Sequence, residues 1–314
     1  KLEKAQRAAQ ASVAWVAEAL AAYAEGIHRC AEPAYVLDTE LPLGLAEVYR
    51  SWNGFELFHE SLILWSAHKV QRQDGRILVG EVDGDDLLVD ADGAVWRRER
   101  DSGELLCDGS SFDRWLAGYV DAEAVVYERD GEFREDVIDE DGDLLVAAAM
   151  SRERAILARD KHAVTPRWRL ARLLTRAGEQ QAARAELEQV VEAMPAFSWA
   201  WYDLGRISES LGELEGACDE LEAAATAEPD YDHNSFFWAQ LARVARQRDD
   251  EETRRRAASR AMELSPQIVQ QQLEGARASA GDGDLVTARE LAETARAIAP
   301  QDLQAMAFLR QLDS

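Results

Sequence analysis

The sequence predicts two domains of different class: an α+β domain followed by an all-α solenoid of paired helices. Three observations predict this. Pro195, Pro229, Pro266 and Pro300 stand 34, 37 and 34 residues apart, each after an amphipathic helical run. Residues 55–98 instead form short apolar runs between Asn-Gly and Asp-Gly turn signals, the pattern of strands. The charge divides along the same line: residues 1–150 hold 14 Lys and Arg against 32 Asp and Glu, whereas 151–314 hold 21 against 28.

The first helix is expected over residues 12–28, where Val13, Val16, Leu20, Tyr23 and Ile27 recur every three or four positions. Leu41-Pro42 leads into a second, with Leu45, Val48, Tyr49 and Trp52, closed by Asn53-Gly54. Strands are expected at 55–58, 62–65, 77–82, 86–90 and 94–98, with Asp92-Gly93 as the tight turn between the last two. Ser110 or Ser111 caps a helix carrying Phe112, Trp115, Leu116 and Tyr119. A further hairpin joins 125–127 to 132–133 through Asp130-Gly131.

The order of these elements, together with Leu41-Pro42, Tyr49, Trp52-Asn53-Gly54, the run from Val89 to Trp96 and the run from Ser111 to Leu116, resembles the SUKH superfamily. The resemblance spans about Val13 to Tyr119. It implies an α+β protein-binding module with no reaction, as in bacterial immunity proteins that neutralise toxins and in a yeast cell-wall-synthesis regulator. It carries over no residue-specific site, because the matching positions are mainly structural.

In the second half, units beginning at Val164, Ser198, Ser235 and Val269 agree internally as well as in length. The second unit places Trp201, Leu204, Gly205, Gly212, Ala217, Leu221, Ala224 and Pro229 in turn; the third has Trp238, Leu241, Ala242, Ala258, Ala261 and Pro266. The first repeats the pattern with Leu170, Ala171, Gly178, Ala183, Leu187 and Pro195. The fourth has Ala276, Gly283, Ala288, Ala292, Ala295 and Pro300, with Gln272 in place of the large aromatic. Small residues let antiparallel helices approach, large ones fill the space between units, and proline ends each run. This is similar to the tetratricopeptide (TPR) repeat. Three extra residues around Tyr231 to Asn234 lengthen one loop. The expected organisation is therefore an acidic SUKH-like domain over 1–146, a docking helix over 147–163, and four TPR-like repeats over 164–314 with a capping helix at 303–312.

Composition narrows the chemistry. A net charge of −25 opposes binding to a phosphate backbone or an anionic lipid surface. The Ala-rich opening is broken by Glu18 and followed by Glu25, which reads as neither a membrane span nor a signal peptide. Cys30, Cys107 and Cys218 lie far apart with no metal-ligand spacing, as expected of a reducing cytoplasm. Asp83, Asp85 and Asp86, and Asp139, Asp141 and Asp143, invite a calcium reading, but neither run meets the loop template, so solvated acidic turns are expected. His28 beside Cys30 reads as a helix-end histidine. No nucleophile elbow, phosphate-cradling loop or His-Glu-x-x-His occurs. No metal, cofactor or catalysis is expected.

The functional expectation is a cytoplasmic protein-binding protein, an immunity or regulatory factor, with a scaffold or an enzyme lacking a recognisable motif as alternatives. The acidic domain would favour a basic partner such as a nucleic-acid-directed toxin. In the repeats, the ninth position of each unit is Arg172, Arg206, Arg243 and Arg277, which the family geometry places along a concave groove beside Trp168, Trp199, Tyr202 and Phe236. That pattern suits an acidic peptide or a terminal carboxylate, one candidate occupant being the chain's own segment 130–143. Ion pairing to nearby acids such as Asp203 or Glu274 is the competing reading. An open groove would let Arg206 and Arg243 be charge-reversed without loss of stability.

Overall fold

In the computed structural model, residues 2–33 and 40–313 are described, and the chain divides into two compact units, Lys1–Glu179 and Gln180–Ser314. The division falls inside the first expected repeat.

The first unit is a mixed sheet and helix domain. Helix α1 (Leu2–Leu20) begins well before the expected residue 12 and buries Val13, Val16 and Leu20. It ends before Tyr23 and Ile27, which are buried in the coil that follows. Strand β1 (Arg29–Cys30) precedes helix α2 (Leu43–Ser51), and seven strands follow it: β2 (Phe55–Leu57), β3 (Leu62–Leu64), β4 (Gln71–Gln73), β5 (Arg76–Val82), β6 (Asp85–Asp90), β7 (Val95–Arg98) and β8 (Leu105–Gly109). They form one antiparallel sheet in the order β1-β2-β3-β5-β6-β7-β8, with β4 sharing the β3 edge of β5. Strands β1, β4 and β8 were not expected: β1 and β4 are short and polar or exposed, and β8 is an edge strand whose Leu105-Leu106-Cys107-Asp108-Gly109 run has no apolar alternation. A bulge in β5 between Leu78 and Gly80 lets β3 and β4 pair in tandem. Gly80 makes this possible, since a Cβ there would stand 1.9 Å from the Ile63 carbonyl oxygen.

Helix α3 (Phe112–Glu123) packs with α1 and the sheet around one core that includes Val16, Leu45, Tyr49, Phe58, Leu87, Phe112 and Leu116. The hairpin expected at 125–133 reduces to an isolated bridge between Tyr127 and Phe133. Helix α4 (Val146–Arg159) follows, and α5 (Val164–Arg176) docks on β8. There Thr165 Oγ1 donates to the Cys107 carbonyl at 2.9 Å, and Arg169 reaches Asp108 at 3.3 Å and Glu153 at 2.9 Å. Asp160, fully buried, accepts from Ser110 Oγ at 2.7 Å and so ties α4 to the start of α3.

The second unit is a helical-repeat solenoid: α6 (Gln180–Ala193), α7 (Ser198–Ser210), α8 (Leu214–Thr226), α9 (Asn234–Gln247), α10 (Glu251–Leu264), α11 (Ile268–Gly281), α12 (Leu285–Ile298) and α13 (Leu303–Leu312). Gly205 sits where α7 crosses α8; a Cβ there would meet Leu221 Cγ at 2.9 Å. Asp250, Asp284 and Asp302 cap α10, α12 and α13 by accepting backbone N–H groups.

The fourth helix pair departs from regular stacking. Helix α12 lies against α9 and α10 more extensively than α11 does, and its Ala297 and Ile298, together with Ile268 of α11, join the core formed by α8, α9 and α10. The sequence supplies a reason. Gln272 of α11 stands where the second and third units carry Trp201 and Trp238, so α11 brings no aromatic to the seam, whereas α12 offers Thr294, Ala297 and Ile298.

His28 is not at a helix end. Its ring lies edge-on to Tyr23 and Phe58, and Nδ1 accepts from the Phe58 N–H at 3.3 Å. Burial, aided by the neighbouring His59, pushes its pKa down to about 4 from the usual 6.5. The folded state thus resists a proton that the unfolded chain accepts. Its stability contribution is complete above pH 6.5 and is lost as pH falls from there through about 4. Allowing for partial solvent screening, the first unit should lose about 1 kcal/mol more than a His28→Gln variant between pH 7 and 5. Denaturant melts at both pH values check this; equal losses would place His28 in water.

Candidate partner-binding groove

The helical unit gathers most of the predicted groove residues at one place. On α7, Trp199, Tyr202, Arg206 and Glu209 recur at spacings of three and four, so one face carries all of them. On α9, Phe236, Gln240, Arg243 and Gln247 do the same. The aromatic rings meet: Trp199 and Tyr202 are 5.6 Å apart, Tyr202 and Phe236 5.3 Å, and Trp199 and Phe236 6.1 Å. Trp199, Tyr202 and Phe236 are all half-buried, leaving ring surface available to a ligand.

Beside the rings, charges alternate. Arg243 donates to both carboxylate oxygens of Glu209, one at 2.7 Å, and through Nε to Gln240 at 3.1 Å. Gln247 also donates to Glu209, at 3.0 Å. Arg206 is bonded to Glu290 of α12, with the Tyr202 hydroxyl at 3.3 Å and Glu209 at 3.9 Å. Arg243 closes the circuit to Glu290 at 3.5 Å. Two guanidinium groups and two carboxylates thus form a neutral ring joining α7, α9 and α12.

Burial grades this ring. The Arg243 side chain is 4% exposed, whereas that of Arg206 is 38% exposed. Burial would raise the Glu209 pKa, but its hydrogen bonds and attraction to Arg243 hold it below the ordinary carboxylate value. Burial likewise works against charge on Arg206, and the facing Tyr202 and Glu290 keep its pKa above the usual value.

The remaining predicted residues lie elsewhere. Arg277, exposed on α11, donates to Gln304 of α13 at 2.8 Å. Arg172 and Trp168 belong to the first unit, where the guanidinium carbon stands 5.0 Å from the ring centroid. In the same unit the acidic residues at 83–86 face cations. Asp86 stands across from Arg98 in the β6–β7 register and bonds it at 3.0 Å, while Arg97 reaches Asp83 at 3.4 Å and Asp85 at 3.7 Å. Asp139, Asp141 and Asp143 are exposed in a tight turn, with Asp139 Oδ1 accepting from the backbone N–H of Asp141 at 3.0 Å and of Asp143 at 2.9 Å. Among the described residues no group of three or more His, Cys, Asp or Glu could hold a metal ion.

Sequence reasoning missed Glu209, Glu290 and Tyr231. Glu209 was visible as the residue one turn beyond Arg206. Tyr231, from the lengthened loop, accepts from Trp199 Nε1 at 2.6 Å, and only the loop's length had marked it. Glu290 is 84 residues from Arg206, so no local pattern connects the two.

Residues 200–231, which span most of α7 and all of α8, match the family model described as Tetratricopeptide repeat. The chain therefore has a C-terminal TPR-repeat region, a non-catalytic scaffold fold, after its α+β domain. No curated protein matches the chain. Solved structures similar to it include MamA, at 18% identity over 50% of this chain and 90% of that one, with a TM-score of 0.37. YrrB, titled a TPR protein with an unusual peptide-binding site, is similar at 17% over 52% and 82%, TM-score 0.35. PilF of Pseudomonas aeruginosa is similar at 17% over 53% and 75%, TM-score 0.39. At these values nothing transfers from them. Among the described residues no helix is long and apolar enough to cross a membrane.

The charge ring makes reversal of Arg243 costly, contrary to the expectation from an open groove. Arg243→Met would leave Glu209 half-buried with its main partner gone, and should destabilise the helical unit by about 3 kcal/mol. Adding Glu209→Gln should restore part of that loss. Urea denaturation of the two variants tests the point: a loss below about 1 kcal/mol for Arg243→Met would mean that water replaces the guanidinium.

Proposed function

We propose that this protein works by binding other proteins, and that the helical unit takes a peptide segment on the face made by Trp199, Tyr202 and Phe236 beside Arg206. The observation that carries this reading is the pairing of half-buried aromatic rings with a guanidinium that is 38% exposed and held by a carboxylate from another helix. Rigid rings supply contact area at little entropic cost, and an acidic side chain on the partner would take the place of Glu290 on Arg206. The ligand class is therefore a segment carrying an apolar residue next to Asp or Glu.

We also propose a SUKH-like identity for the N-terminal domain and an immunity or regulatory role for the whole, with a scaffold role differing only in the partner. In support, the residues carrying the resemblance make structural contacts: Tyr49 donates to the Trp65 carbonyl at 2.8 Å, and Asn53 accepts from the Ala67 N–H at 2.9 Å. Asp90 accepts from Trp96 Nε1 at 2.9 Å. A basic partner surface, such as that of a toxin, suits the domain's charge, the exposed turn at 139–143 being its least neutralised described stretch of the predicted acidic positions.

Selection from a random peptide library against the full chain tests the groove. The enriched peptides should combine an apolar residue with an acidic one, and Trp199→Ala should weaken them about tenfold, as loss of a central aromatic anchor does. Peptides that bind the Trp199→Ala protein equally well would remove this face as the site. For the N-terminal domain, the association rate with an identified basic partner should fall steeply with ionic strength; a flat dependence would refute electrostatic steering.

A further inference from the structure

A second feature of the seam between α9 and α12 has no part in the peptide reading. Beside the charge ring, Arg243, Arg246 and Gln247 of α9 and Glu293 and Arg296 of α12 line a pocket of about 200 Å³. At roughly 30 Å³ per water this is room for about six waters, enough for a small oxyanion but not for a peptide or a nucleotide.

The charges lining it do not balance. Arg243 is already satisfied by Glu209 and Gln240. The nearby Arg254 is occupied by Glu251 and by the Ala297 carbonyl at 2.5 Å. The guanidinium groups of Arg246 and Arg296, both residues half-buried, have no hydrogen-bond or ion-pair partner among the described residues. Burial first, and then the charge of Arg296, press Arg246 below its ordinary pKa, with Glu293 acting the other way. Arg246, Arg296 and Glu293 together leave one excess positive charge in a confined space, which an anion would neutralise.

We infer that this pocket is a binding site for inorganic phosphate, bridged between Arg246 of α9 and Arg296 of α12. Glu293 selects phosphate among tetrahedral anions. Near neutral pH phosphate keeps an acidic P–OH, which donates to a carboxylate; sulfate has no proton to donate and meets the same carboxylate as a like charge. The bound ion joins α12 to α9, the two helices that the charge ring also joins, so phosphate would strengthen the seat of Glu290 on Arg206. The site itself does not rest on the peptide reading, because its test uses phosphate alone.

Calorimetric titration of the full chain with inorganic phosphate, at constant ionic strength set with sodium chloride, should give saturable binding at one site. Arg246→Gln and Arg296→Gln should each weaken it by about tenfold, the usual effect of losing one charge-assisted donor. Neither guanidinium has a hydrogen bond or ion pair to lose, and for Arg246 burial and the charge of Arg296 outweigh the pull of Glu293, so in phosphate-free buffer both variants should melt at or above the wild-type temperature, and their phosphate-dependent rise in melting temperature should shrink. Sulfate should bind the wild type more weakly than phosphate, and Glu293→Gln should abolish that preference. Non-saturable heats, or unchanged phosphate affinity in the folded double variant of Arg246 and Arg296, would overturn the site. Equal binding of sulfate and phosphate by the wild type would overturn the role of Glu293.

Discussion

A guanidinium withdrawn from water needs a counter-charge, because an unpaired buried ion costs several kcal/mol. Arg243, 4% exposed in the middle of α9, imposes that requirement on the helical unit. Glu209 meets it from α7, and Glu290 adds a second carboxylate from α12. These acids come from helices that the repeat order would not place symmetrically around α9, so satisfying Arg243 also fixes which helix lies over it. With α12 in that place, α9 is buried on nearly every side from Phe237 to Ala245. Its first turn is left to present Phe236 to the aromatic cluster. The charge ring and the aromatic cluster thus follow from one packing choice.

The first unit solves a similar problem with different parts. Asp108 is almost fully buried on β8 and is reached by Arg97 from β7 and Arg169 from α5. Glu153 of α4 shares Arg169. Helices that the sequence assigns to a linker and to the first repeat are therefore held to the sheet by buried charge as well as by the Thr165 and Asp160 hydrogen bonds. Such networks add directionality that apolar contact lacks, since each member must meet its partners or be left unsatisfied. They explain why the compact unit extends to Glu179 although the repeat period begins at Val164.

Local pattern accounts for what was legible. Apolar spacing identified α2, α3 and the repeat helices to within a few residues, and turn residues located the hairpin between β6 and β7. Strands β1, β4 and β8 escaped because edge pairing rather than apolar alternation defines them. The start of α1 escaped because residues 2–11 are mostly exposed and their few apolar contacts set no clear stripe. Repeat register alone places Trp199, Tyr202 and Arg206 on one face of α7 and Phe236 and Arg243 on one face of α9, since position in a periodic helix determines which face a residue shares. What occupies that face was not legible, because Glu290 and Arg206 are linked by tertiary packing alone.

The two breaks in the repeat pattern fall where the structure does something the period does not prescribe. The three extra residues before α9 place Tyr231 and His233 against Trp199, with the Trp199 and His233 rings 5.2 Å apart, so the insertion thickens the aromatic cluster. With Gln272 in place of an aromatic, α11 reaches that core only through Ile268 and Val269 at its start, and α12 covers more of α9. A strictly regular array would have neither feature: its seams would be apolar and its first helices would line a continuous channel. Arginine at the ninth position of every unit is regular, yet Arg206, Arg243 and Arg277 have three different environments because their surroundings are not. A periodic sequence thus specifies the scaffold, while its exceptions determine which of the repeated side chains are buried, paired or left open to a ligand.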